Sequence, residues 1–285
     1  MAAILEVDQL QKTYADSNFG LKDISFAIPY GSIVGFIGEN GAGKSTTMGS
    51  ILGTLHKDSG TIRIFGKEMD AKDVHIKEDI GAVFDTVKLP GGLTVKKLER
   101  VFQQLYSNWN KETYSNLIQL FSLPKDKKIS GFSRGMSMKL SVAVALSHEA
   151  KLLILDEATA GLDPGGREDM LKVLREFVKG QERSILLSSH ITSDIEQIAD
   201  RLIFIKSGEI LLQETKEEIL NHYGIVQCDP VEYQNIPSEI RLATRGNEVF
   251  FDVLVSDREK LPSSLQSKRF SIDDVTLLLM RGERV

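Results

Sequence analysis

Eight consecutive residues, Gly38-Glu39-Asn40-Gly41-Ala42-Gly43-Lys44-Ser45, satisfy the pattern G-x-x-x-x-G-K-[ST] in full, and Thr46 follows them. Glycines at this spacing let the backbone curl until successive N–H groups face inward at an anion. A lysine closing such a turn reaches the β- and γ-phosphates of a nucleoside triphosphate, and the adjacent serine hydroxyl ligates Mg²⁺. A helix opening near Lys44 adds the positive end of its dipole. A glycine-rich turn can also simply link a strand to a helix; the lysine and serine in place favour the phosphate cradle.

A cradle alone only binds. Further along, Leu152-Leu153-Ile154-Leu155-Asp156-Glu157 is an apolar run ending in two carboxylates. Asp156 is expected to hold Mg²⁺ through water, and Glu157 to orient and deprotonate the attacking water. A general base of this kind contributes about 10²–10⁴ in rate. Two acids can also end a strand as a plain solvated turn; the cradle upstream favours catalysis.

Apolar runs alternate with helix-period segments, which points to an α/β fold with a mostly parallel sheet. Strands are expected over residues 33–37, 80–84, 152–155, 184–187 and 202–205, with a helix over 44–52. Residues 5–7, 24–28 and 61–65 read as a smaller antiparallel layer near the N-terminus. In an open parallel sheet, ligands collect at the carboxyl ends of the strands. Gly38, Asp85, the pair Asp156 and Glu157, and His190 each follow one of these strands, so they converge on one edge.

Residues 88–147 read as a helical insertion, with Val95, Leu98, Val101, Phe102 and Leu105 at helical spacing, then Leu117, Leu120 and Phe121, and a third helix over 134–146. Asp163-Pro164 supplies an N-cap and a first-turn proline for a long helix whose stripe is Met170, Leu171, Leu174, Phe177 and Val178. Residues 1–220 thus form one expected domain, and 221–285 a small α+β appendage. In the appendage a hairpin is expected around Gly246-Asn247, with strands over 241–244 and 248–255. Ser271 and Asp274 are placed to cap a final helix.

The order of motifs resembles the nucleotide-binding subunit of ABC transporters, over about residues 4–220. Ser133-Arg134-Gly135-Met136 stands where that family has its signature, usually L-S-G-G-Q. Thr159-Ala160-Gly161-Leu162-Asp163 resembles the D-loop, and Ser188-Ser189-His190 the switch histidine. Tyr14 is similar in position to the aromatic that stacks on adenine. The resemblance implies an ATPase with ATP and Mg²⁺ as cofactors. It also implies a head-to-tail dimer, with a second copy or a sister subunit. Ser133 and Gly135 of one chain would close over the γ-phosphate held by Lys44 of the other, with Asp163 at the same interface, and His190 would sense that phosphate. It implies a cytoplasmic chain held at the membrane by a separate transmembrane permease.

Three departures from the family pattern stand out. The signature reads Phe132-Ser133-Arg134-Gly135-Met136, Asp85 replaces a glutamine that couples Mg²⁺ to the membrane partner, and Ala158 replaces a proline. The first two, with the appendage, resemble bacterial exporters serving peptide-antibiotic resistance and amphipathic-peptide export. Ribosome-acting relatives carry two such domains and DNA-repair relatives insert long coiled coils; this chain shows one domain and a short insertion. A module that holds ATP without hydrolysing it is argued against by Glu157 and His190.

Composition agrees with this reading. Apolar residues are 41% of the 285 and charged residues 26%, enough for an ordinary globular core. A net charge of -5 gives no footprint for nucleic acid, and Asp126 interrupts the short run Lys125, Lys127, Lys128. The apolar stretches fall short of the ~20 residues a membrane span needs, and no secretion signal is expected at the start. Cys228 is the only cysteine, which leaves no intrachain disulfide; it reads as an inert, half-buried strand thiol.

Overall fold

The computed structural model describes residues 2–15, 17–69, 73–84, 89–180, 182–247 and 249–285. Three sheets organise them. The largest has six strands in the order Glu209–Thr215, Arg201–Lys206, Ile33–Ile37, Ser184–Ser188, Leu152–Asp156, Ile80–Val83. All neighbours run parallel except Glu209–Thr215, which returns antiparallel against Arg201–Lys206. Ile33–Ile37, Leu152–Asp156 and Ser184–Ser188 are buried at every residue. Unbroken apolar runs do this because both faces of a parallel sheet are covered. Register then fixes the site: Ser188 pairs with Phe36 on one side and with Asp156 on the other. The loops leaving at Gly38, Glu157 and Ser189 therefore share one edge.

One face is covered by an antiparallel sheet in the order Ser17–Pro29, Ala3–Tyr14, Ser59–Ile64, Lys67–Glu68. Its inward residues Ile4, Leu5, Leu10, Leu21 and Ile24 pack with Val34, Phe36, Met48 and Ile154. The first two strands run well beyond the expected 5–7 and 24–28. Backbone pairing continues to Tyr14 against Ser17 after the apolar alternation has ended. That extension is what carries Tyr14 toward the glycine turn.

The other face carries the helices Val95–Leu105, Lys111–Leu120, Arg134–Leu146, Pro164–Phe177 and Thr192–Ile198. Leu140, Val144, Met170, Leu174 and Ile195 pack there on Leu153, Leu155, Ile185 and Leu187. The expected stripes are only partly buried: Val95, Leu98 and Leu117 are inside, whereas Val101, Leu105 and Leu120 are exposed. Val178 caps its helix rather than extending it.

Residues 224–284 contribute a third, antiparallel sheet in the order Gly224–Cys228, Phe251–Val255, Arg241–Gly246, Glu283–Arg284. Gly246 faces Phe251, and the Asn247 carboxamide oxygen accepts from the N–H groups of Val249 and Phe250. The hairpin therefore closes through an Asx-type loop, longer than a two-residue Gly-Asn turn; Glu248 lies outside the described residues. The helix Ile272–Arg281 has the reciprocal Ser271 and Asp274 cap that the spacing predicts. It buries Ile272, Val275 and Leu278 in the same cluster as Leu187, Ile195 and Ile198. Cys228 is 1% exposed, fully rather than half buried, and burial pushes its thiol up to about 11.

Candidate nucleotide-hydrolysis site

The strand Ile33–Ile37 ends in the glycine turn, and the helix Lys44–Ile51 starts at the lysine itself. Gly43 and Gly41 take φ of 117° and 81°, a region that side chains rarely adopt. No side chain caps this helix, so its first-turn N–H groups lack a side-chain partner. Such groups suit a phosphate. Lys44 is 6% exposed, and its Nζ donates to the carbonyls of Gly38 at 2.7 Å and Glu39 at 3.2 Å. Burial lowers its pKa, while Glu157 and then Asp156 push it back up. Two carbonyls thus hold an ammonium that a phosphate would hold better.

Across the cavity, Asp156 Oδ2 accepts from Ser45 Oγ at 2.6 Å, and its Oδ1 accepts from Ser188 Oγ at 2.5 Å. Ser188 Oγ in turn accepts from the Glu157 N–H at 3.2 Å. Glu157 has φ 57°, left-handed for a non-glycine residue, at a cost of roughly 1–2 kcal/mol. Strain of this kind is retained where a side chain must point one way. Glu157 Oε2 lies 2.5 Å from His190 Nδ1 and accepts from the His190 N–H at 3.4 Å. Its Oε1 is buried with no hydrogen-bond partner among the described residues. A buried carboxylate oxygen left open in this way calls for a water or a ligand.

These groups surround one cavity of about 420 Å³. Residues of the glycine turn, Asn40 to Thr46 without Ala42, line it together with Asp156, Glu157 and Tyr14. Phe19 joins Tyr14 there, with ring centroids 6.2 Å apart. Sequence reading missed Phe19, which lay outside the strands expected there; backbone pairing of Ala3–Tyr14 with Ser17–Pro29 is what brings it beside Tyr14. Gly38 and Glu39 line an adjoining cavity with Ser189 and His190. Ala42 is buried, its carbonyl accepting from the Gly208 N–H at 2.9 Å, so it shapes the turn.

Ser133, Gly135 and Asp163 are not among the residues lining the cavity. Ser133 Oγ caps its helix through the Met136 N–H at 3.2 Å, and Asp163 does the same through Gly166 at 3.3 Å. A Cβ on Gly135 would meet the Gly161 carbonyl at 2.8 Å, so the turn at Gly135 packs directly on the turn at Gly161. Asp85 lies outside the described residues.

The residues present fit Mg²⁺. Ser45 Oγ and Asp156 Oδ2 form a hydroxyl and carboxylate pair 2.6 Å apart. Mg²⁺ takes such hard oxygens together with water and substrate phosphates rather than an all-protein cage.

An uncapped helix behind a glycine turn, facing a strand-end Asp-Glu pair across a parallel sheet, defines a P-loop nucleotide-hydrolysing protein. The chain belongs to the ABC transporter family, whose profile matches residues 21–160. It is similar to the bacitracin transport ATP-binding protein BcrA of Bacillus licheniformis, at 34% identity over 74% of this chain and 69% of that one. It is also 34% identical to the lantibiotic transport ATP-binding protein SrtF of Streptococcus pyogenes, over 77% of this chain and 96% of that one. The ABC transporter ATP-binding protein YtrB of Bacillus subtilis is 32% identical over 90% and 89%. Among solved structures, an ATP-binding subunit of an ABC transporter superposes with a TM-score of 0.69 at 29% identity, covering 76% of this chain and 91% of that one. The chain is therefore an ATP-binding subunit of the ABC type, and an ATPase. No described helix is long and apolar enough to cross a membrane.

Proposed function

We propose that this subunit powers a bacterial exporter of peptide antibiotics or other amphipathic peptides through a separate transmembrane permease. The observation that carries the reading is that Lys44 and Glu157 line one cavity. The similarity to BcrA, a bacitracin transport protein, and SrtF, a lantibiotic transport protein, supports the cargo class.

In this reading Lys44 exchanges its two carbonyls for the β- and γ-phosphates, and Tyr14 and Phe19 flank the base. Ser45 and Asp156 would hold Mg²⁺, which when bound would supply positive charge to offset that developing on the phosphoryl oxygens. Glu157, lining the cavity, takes a proton from the attacking water while His190 holds its Oε2. Ser133, Gly135 and Asp163 stand apart from their own chain's cavity, which supports their acting on the cavity of a second copy or a sister subunit. The helix N-terminus behind Ser133 would bring N–H donors to the γ-phosphate there. The exposed Val101, Leu105 and Leu120 are the apolar surface offered to the permease. The chain would then sit on the cytoplasmic membrane face through that partner.

Replacing Lys44 by Ala is expected to abolish ATP binding, read by nucleotide titration of the purified chain. Unchanged affinity would remove the cradle from the mechanism. Co-purification of the chain with ribosomes instead of a membrane protein would overturn the transport assignment.

A further inference from the structure

His190 is not held by burial. Its side chain is 57% exposed, and the following helix Thr192–Ile198 has no side-chain cap of its own. Inside the loop, the Ile191 N–H donates to Ser189 Oγ at 3.0 Å. Besides the Glu157 contacts, an anchor comes from 81 residues away: the Thr192 hydroxyl donates to Asp273 Oδ1. Thr192 is 8% exposed, so this bond is shielded on the threonine side.

Asp273 stands in the first turn of Ile272–Arg281, a helix fixed by its Ser271 and Asp274 cap and by Ile272 and Val275 packed with Ile195 and Ile198. At its other end Arg281 Nε lies 3.5 Å from Glu39 Oε1, and the Glu39 carbonyl holds Lys44. Asp273 and Arg281 are eight residues apart, about 12 Å along a helix axis. One rigid rod therefore touches both the loop bearing His190 and the loop bearing Lys44. The Arg281 pair is exposed at both partners and contributes little; the Thr192 bond is the stronger hold. A space of about 180 Å³ between the rod and the loops, lined by His190, Thr276 and Met280, leaves the histidine room to shift.

We propose that Asp273 is a positioning residue for ATP turnover, setting the His190 loop through the Thr192 hydroxyl. This rests on His190 acting at the phosphate site with Glu157. The rod places the segment after residue 221 in the service of hydrolysis: it holds the geometry of the group that orients the base, without touching nucleotide.

The test is steady-state phosphate release by the full chain across an ATP titration, with bound ATP per chain measured in parallel. Thr192→Val and Asp273→Ala are each expected to lower kcat about fivefold, with KM within about twofold. Thr192→Ser, which keeps the hydroxyl, is expected to match wild type. The double variant Thr192→Val, Asp273→Ala should be no slower than the worse single one, because both remove the same bond. An unchanged kcat in Thr192→Val overturns the proposal, as does a Thr192→Ser enzyme equally slow. A fall in kcat that merely follows lost ATP-binding stoichiometry also overturns it, because the contact would then only support folding. Glu157→Gln run alongside separates the two levels. If it still turns over, the site reading fails; if it is inert while Asp273→Ala matches wild type, only the positioning role fails.

Discussion

Glu157 is held by its neighbours from three directions: its N–H by Ser188, its Oε2 by His190, and its backbone in a left-handed turn. Only Oε1 is buried without a hydrogen-bond partner among the described residues, and Glu157 lines the phosphate cavity. Glu157→Gln keeps the shape but cannot take a proton. Turnover should therefore drop by about 10²–10⁴ while ATP affinity stays near wild type, read by phosphate release and nucleotide titration. Full turnover in that variant would remove Glu157 as the base. Lys44, Ser45, Asp156 and Glu157 were legible in the sequence because their chemistry fixes both residue type and spacing. Ser188, which donates to the Asp156 carboxylate and accepts from the Glu157 N–H, was visible only as a neighbour of His190. Its role depends on strand register across the sheet, and no local pattern encodes register between strands 32 residues apart.

Among the elements, the buried strands were legible because a sheet covered on both faces demands unbroken apolar runs. The limits of the N-terminal ribbon were not, because hydrogen bonding outlasts the apolar pattern there. Short helices such as Val74–Glu78 and Lys216–His222 carry too few turns to show a period. One packed histidine ties such a short element to the helical layer. His148 lies 2% exposed, its ring stacked on Tyr106 at 4.1 Å with Nδ1 donating to the carbonyl of Glu78, in Val74–Glu78. Burial lowers its pKa below the ordinary 6.5, against weaker opposing effects of Glu78 and Asp79. As pH falls through 6.5 the unfolded chain takes up this proton before the folded one. The stability is thus fully present above the unfolded value and declines toward the depressed folded value. Thermal melts followed by circular dichroism should show the midpoint falling over this acid range. His148→Phe, which keeps the stack, should flatten that part of the decline. An identical acid slope in both proteins would contradict a neutral buried imidazole.

At the scale of the whole molecule, Ser133, Gly135 and Asp163 stand away from their own cavity, so under the proposed in-trans arrangement one chain would be half of a working site. Glu157→Gln, which would bind ATP without consuming it, is expected to elute with ATP at twice the mass of the 31.7 kDa chain and alone without nucleotide. Size-exclusion chromatography with light scattering checks this, and a monomer at saturating ATP would contradict a pairing of two copies of this chain. The layer order followed from the sequence, because alternating apolar runs and helical periods specify it. The seam beyond residue 221 did not: Ile225, Leu254, Ile272 and Val275 mingle with Leu187 and Ile195 in one cluster, an intimacy that no shift in composition announces. A stop codon introduced there would not release a trimmed, self-sufficient motor. It would leave a raw oily scar on the flank that bears His190, and the shortened product should be recovered from cells as insoluble aggregate.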